Sequence, residues 1–279
     1  MDWLTDHKIP VGRWVGDGVD WMTDNLSFIF DGMETFLEAI IDGLLAVLQW
    51  PHPLVMTLLV TLAAFYLRRS VGLAVGAFFG LLFILNQGYW EAMTETLALV
   101  LAASAVCMVL GVPAGIYLAH RKRAYAFARP VLDLMQTLPT FVYLIPAIIF
   151  FGIGMVTGLV ATIVFVIPAA IRNTQLGIAS TPADLMEAGN AFGATRMQRL
   201  WTIELPHALP NIMAGLTQTI MLSLSMVVIA ALVGASGLGT PVVRALNTAN
   251  SALGFEAGLV IVVVAILLDR LLTVSAKRG

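Results

Sequence analysis

Pro182–Pro206 reads PADLMEAGNAFGATRMQRLWTIELP. It is the longest polar interruption in the hydrophobic part of the chain. Its start has the signals of a helix that does not cross a membrane. Thr181 is placed to cap it, Pro182 suits the first helical position, and Asp184 falls in the first turn, where the positive end of the helix dipole favours an acid. Small residues at 188, 189 and 193 would let another surface approach the backbone. The stretch is expected to be a docking helix, and the chain around it a membrane pore driven by something else.

The surrounding composition agrees. The 279 residues are 59% hydrophobic and 11% charged, against about 25% charged in an ordinary soluble domain. The mean hydropathy is +0.91. The apolar runs are long and continuous and do not alternate, so the fold class is all-α: a polytopic helical membrane protein, with backbone groups satisfied inside each helix. Membrane lipid is therefore one partner. A net charge of −2 gives no reason to expect nucleic acid. The single cysteine, Cys107, excludes an intrachain disulfide. The N-terminus lacks a basic region followed by an apolar run, so no cleaved signal peptide is expected.

Upstream, residues 1–50 are expected to form an extracytoplasmic polar region followed by an amphipathic helix over 26–49. Asp31, Glu34, Glu38 and Asp42 fall three and four residues apart, making one face acidic. The helix either lies along the membrane surface or packs on the rest of the protein. Residues 51–279 form the transmembrane domain. About seven spans are expected, near 51–67, 71–88, 95–119, 131–151, 155–171, 209–233 and 256–272, with a polar loop at 172–208. The second contains Gly72, Gly76 and Gly80, a smooth strip for close packing. Gly152-Ile153-Gly154 makes a tight turn, and residues 234–254 suggest a broken or re-entrant piece covered by protein or water.

Charge sets the orientation. With Pro182–Pro206 in the cytoplasm, twelve of the 15 cations fall inside: Arg68, Arg69, Arg121, Lys122, Arg123, Arg129, Arg172, Arg196, Arg199, Arg270, Lys277 and Arg278. Lys8, Arg13 and Arg244 fall outside. The positive-inside rule then puts the N-terminus outside and the C-terminus inside.

Catalytic chemistry is missing from the pattern. There is no GxxxxGK[ST], so the chain has no phosphate-cradling loop of its own. His7, His52, His120 and His207 are scattered, and no metal site is expected. Ser223 and Ser225 have no obvious base, which favours helix–helix hydrogen bonding over nucleophilic work. Asp133 and Asp269 sit at membrane edges and suit ion pairing with nearby arginines. No catalytic residue is assigned.

Glu187-Ala188-Gly189, three residues, Gly193, nine residues, then Ile203-x-Leu205-Pro206 resembles the EAA loop of ABC importer permeases, EAA-x3-G-x9-I-x-LP. The departure is Gly189, where the family usually has Ala. Residues 133–154, 167–178, 182–195 and 222–239 extend the resemblance to the permease of glycine betaine/proline betaine importers, over roughly residues 50–275. The resemblance implies a type I ABC importer permease fold in a bacterial inner membrane. It also implies a homodimer of permeases, two cytoplasmic ABC ATPase subunits that bind ATP and Mg, and a periplasmic or tethered substrate-binding protein. No cofactor is expected in this chain. Asp184, Glu187, Ala188, Gly189, Phe192, Gly193, Ile203, Leu205 and Pro206 would couple to the ATPase. The solutes implied are quaternary or related methylated amines: glycine betaine, proline betaine, choline, carnitine or trimethylamine oxide.

A quaternary ammonium cannot donate hydrogen bonds and is best held by aromatic faces. Phe141 and Tyr143 are candidates for the translocation path, with Ser223 and Ser225. Pro139, Pro146 and Pro168 can bend helices lining it. The alternatives are an ABC permease for another small solute such as an amino acid, a secondary carrier needing no ATPase, and a membrane subunit without transport.

Overall fold

The computed structural model describes residues 10–272. Residues 1–9 of the polar N-terminal region, with His7 and Lys8, lie outside the described residues, as do Lys277 and Arg278. No strand occurs among the described residues.

Helix α1 runs Val11–Gln49, 39 residues without an internal proline, and so is about 58 Å long. It begins well before the expected start at 26, because the isolated glycines at 12, 16 and 18 tolerate helix. Part of this helix packs on the rest of the protein. Leu37 and Ile41 are buried with Ala102, Phe151 and Leu159, and Phe30 stacks on Phe150 with centroids 4.2 Å apart. Trp14, Trp21, Phe28 and Phe36 remain exposed, as do Asp31, Glu38 and Asp42.

A 95° bend at residues 50–52 leads into α2, Pro53–Arg68. Arg69, in the left-handed region, then turns the chain into α3, Val71–Asn86. Each helix has 16 residues, about 24 Å, short of a hydrocarbon core of about 30 Å. The glycine strip on α3 is not packed as expected. Only Gly80 meets a neighbour, Val263; nothing lies within 4 Å of a Cβ placed at Gly72 or Gly76.

Among the described residues, four runs are long and apolar enough to cross a membrane: α4 (Trp90–Ala119), α7 (Met155–Ala179), Arg196–Ala231, and the helix from Ser251. Two bent pairs raise the number to six. One pair is α1 with α2. The other lies where a loop and a fourth span were expected. HRKRAYAFARP is not a loop but the start of α5, Lys122–Thr137. The expected span 131–151 breaks at Leu138-Pro139, and α6, Thr140–Phe151, leaves at 93°. Pro139 lacks the N–H to continue α5 and forces Leu138 into the extended region, at ψ 136°.

The core is α7 between two partners. Gly111 and Gly115 of α4 meet Ala170 and Thr174 of α7, so these helices run parallel. Gly158, Asn173 and Gly177 of α7 meet Ala230, Gly215 and Ala208, so the helix carrying those residues runs antiparallel. Because α4 and α7 are parallel, residues 120–154 must return across the full thickness. Helix α6 has 12 residues, about 18 Å, so α5 and α6 make that crossing together.

Between residues 180 and 204 lie α8, Ala183–Ala191, and α9, Arg196–Arg199. A π turn, Leu200–Glu204, joins α9 to α10, Leu205–Ala231. The expected broken piece follows. Gly234 and Gly237 have positive φ, and α11 spans Gly239–Asn247. Protein covers its start: Leu238 is buried, and its N–H donates to Thr96 Oγ1 at 2.8 Å. Helix α12, Ser251–Leu272, closes the fold; Arg68 Nε donates to Arg270 O at 2.7 Å and ties α2 to it.

Candidate coupling site

Helix α8 starts one residue later than expected. Pro182 is the residue before the helix, Ala183 is its first residue, and no side chain caps the start. The expected Thr181 cap does not form; its hydroxyl is buried without a partner. Asp184 does lie in the first turn.

The end of α8 explains Gly193. Gly193 N–H donates to Asn190 O and Ala194 N–H to Gly189 O, each at 2.9 Å. That is a Schellman closure, which needs a left-handed residue, and Gly193 has φ +73°. A Cβ there would meet nothing within 4 Å, so backbone conformation selects glycine here, not crowding.

Gly189 has a different reason. It is buried, and a Cβ would stand 2.8 Å from Ile203 Cδ1 and 3.4 Å from the Arg199 side chain. The two ends of the motif, Gly189 and Ile203, therefore touch each other. Within this chain, the close approach at 189 is made by Ile203. Arg199 Nη1 donates to Asn190 Oδ1 and seals the same contact. Thr195 and Gln198 form a reciprocal capping box at the start of α9.

The other side chains of the loop are largely exposed. Asp184, Glu187, Ala188 and Gly193 are exposed. Leu185, Met197 and Trp201 are exposed large apolar residues, and Phe192 is 91% exposed. The sequence reading left out Leu185, Met197 and Trp201, whose shared exposure needs the folded loop to be seen. Leu205 is half-buried and Pro206 exposed. Pro206 cannot donate to Thr202 O. The chain takes a wider turn instead, in which Leu205 N–H donates to Leu200 O.

This loop is anchored below. Glu204 is 3% exposed, and its Oε2 lies 2.7 Å from His120 Nε2 at the end of α4. Asp133 pairs with Arg172 at 2.6 Å, as expected, joining α5 to α7.

The four path candidates are not brought together. Phe141 is exposed on α6. Tyr143 OH donates to Met135 O at 2.7 Å, bracing the α5–α6 elbow. Ser225 is exposed on α10. Ser223 is fully buried with its hydroxyl on Thr219 O at 2.8 Å, so it does not share a surface with Ser225. Asn173 Nδ2, instead, donates to Gln218 Oε1 at 2.9 Å, between α7 and the exposed side of α10. Neither amide was singled out from the sequence.

With this geometry in place, comparison with known proteins is decisive. Residues 111–278 match the family described as "Binding-protein-dependent transport system inner membrane component". The chain belongs to that family. It is 45% identical to the glycine betaine transport system permease protein OpuAB of Bacillus subtilis, over 95% of this chain and 93% of that one. It is 44% identical to the glycine betaine/carnitine transport permease protein GbuB of Listeria monocytogenes, over 97% of each. Among solved structures, an inward-facing MetNI methionine ABC transporter chain matches with a TM-score of 0.60 at 23% identity, over 65% of this chain and 91% of that one. This last likeness shows the permease fold alone. The family places the chain in the membrane as a multi-pass protein, in agreement with the apolar helices.

Proposed function

We propose that this chain is the membrane-spanning permease subunit of an ATP-driven importer for betaine-type compatible solutes. The observation that carries the reading is the exposed α8 surface of Asp184, Glu187, Ala188 and Phe192, on a loop braced against the core. Cytoplasmic ABC ATPase subunits, binding ATP and Mg, would seat on that surface. The cation distribution supports a cytoplasmic loop, an outer N-terminus and an inner C-terminus. A second permease copy completes the pore, and a binding protein delivers and selects the solute.

The solute class follows from the relatives named for glycine betaine and carnitine. Both solutes carry a trimethylammonium group and a carboxylate. Phe141, exposed on α6, can offer an aromatic face to the first. ATP binding closes the ATPase pair, α8 moves with it, and α7 and α10, covalently joined to the loop, carry the movement into the membrane. This is rigid-body switching between two states.

The test is uptake of labelled glycine betaine into proteoliposomes holding the permease, its ATPase and its binding protein. ATP-dependent uptake is expected. Uptake by the permease alone under an ion gradient would establish a secondary carrier instead. ATP-dependent uptake of amino acids but not betaines would correct the solute.

A further inference from the structure

Glu204 is the one carboxylate buried among the described residues. A buried carboxylate is costly unless it is paired, so its partner has a purpose in the fold. His120 caps the end of α4. Its Nδ1 lies 2.8 Å from Ile116 O, and its Nε2 2.7 Å from Glu204 Oε2. A carbonyl oxygen only accepts, so Nδ1 carries a hydrogen. One more proton lies between Nε2 and Oε2. The imidazole is thus fixed on both sides, and its position on α4 is passed to Glu204.

Successive residues of a helical turn point to different sides of it. Ile203 accordingly faces α8, meeting Gly189, while Glu204 faces α4, meeting His120. The π turn holds the docking helix with one residue and the membrane core with the next. The loop is joined covalently to α7 and to α10 but not to α4. Leu200 and Leu205 share an apolar cluster with Ile116 and Ala119 of α4. Apolar contacts are non-directional, whereas the 2.7 Å His120–Glu204 hydrogen bond fixes the register of the loop on α4.

We propose that His120 and Glu204 are positioning residues for energy coupling. They lock the base of the docking loop to α4, so that a displacement of α8 moves α4 in step with α7 and α10. The proposal rests on the docking function of α8.

The experiment uses the whole transporter in proteoliposomes, with ATP hydrolysis and betaine uptake measured on the same vesicles. His120→Ala and Glu204→Ala are expected to lower uptake per ATP hydrolysed by about tenfold, within the range by which residues between coupled sites alter coupling. The ATPase should still co-purify in the wild-type ratio, and the KM for betaine should stay within about twofold. Glu204→Gln keeps the shape and an acceptor oxygen and should fall between, which covers the case in which an alanine variant fails to fold. The exchanged pair, H120E with E204H, should recover at least half of the coupling. Uptake per ATP within twofold of wild type in all single variants would overturn the proposal. So would a loss of ATPase association matching the loss of uptake, which would make the pair a support of the surface only. Failure of the docking function itself would show in the wild type, as no ATPase association.

Discussion

Gly193 separates backbone conformation from surface access, the two ways in which a docking loop can fail. It closes α8 at φ +73°, with open space where a Cβ would stand. Any side chain there therefore costs through the backbone alone. For alanine in the left-handed region the cost is about 1–2 kcal/mol, a factor of about 5–30 in the population of the closed cap. Phe192, 91% exposed, immediately precedes Gly193, so opening the cap displaces that ring from the docking surface. Initial uptake should fall by up to the same factor in Gly193→Ala. Asparagine is larger but enters the left-handed region more readily, so Gly193→Asn should lose less, about threefold or under. Gly193→Asp has similar backbone tolerance and adds a charge to the docking face. It should abolish uptake while membrane insertion stays normal. The measurements are initial uptake rates at saturating solute and co-purification of the ATPase. If Ala retains more uptake than Asn, bulk at the surface decides and the cap argument is wrong. If Asp shows normal uptake and normal ATPase association, the docking surface is elsewhere.

Thr96→Val removes the acceptor for the buried Leu238 N–H, a cost of about 1–3 kcal/mol; the detergent-solubilised protein should melt several degrees lower, and Thr96→Ser should not. Gly115→Val puts side chain where an ideal Cβ is already 2.6 Å from Thr174 Cβ and 2.7 Å from Ile171 O; overpacking of about 1–3 kcal/mol or more should lower the folded yield, and a normal yield would mean that α4 and α7 do not close as described. The Arg172–Asp133 side chains are 33% and 50% exposed, so Arg172→Gln should cost under about 1 kcal/mol, and a melting shift as large as that of Thr96→Val would refute this. Spin-label distances between α4 and α7 should stay fixed when nucleotide is added to the full transporter, while those across the α5–α6 elbow change.

The long apolar runs made the class legible, because a helix buried in lipid leaves continuous hydrophobicity in the sequence. The turn at 152–154 and the acid in the first turn of α8 were legible for local reasons. Residues 120–130 were misread because α5 is amphipathic, and a stretch with four cations looks like a loop when hydropathy is averaged. Gly72 and Gly76 show that a glycine strip marks capacity for close approach; within this chain only Gly80 uses it. Gly189 and Gly193 looked alike as small residues; the structure separates them, one meeting Ile203 and the other holding a left-handed cap. The His120–Glu204 link was not legible at all. Its partners are 84 residues apart, and Glu204 occupies the unspecified position of the motif.

The three central helices explain why the elbow, and not the core, has freedom to bend. Gly111, Gly115, Gly158 and Gly177 bring α4, α7 and α10 together with almost no space between backbones. Close-packed surfaces have discrete arrangements and do not deform by degrees. The docking loop meets this unit at three points: Thr181 continues from α7, Leu205 begins α10, and Glu204 reaches α4 through His120. A force on α8 cannot tilt one of the three without the others. The α5–α6 junction is held differently. Pro139 has no helical hydrogen bond to break, and Tyr143 OH braces the bend through carbonyls of α5. A hydroxyl can exchange carbonyl partners at little cost, whereas interlocked glycines cannot exchange neighbours. The α5–α6 elbow is thus the more weakly held junction, and α6 beyond it carries Phe141 exposed.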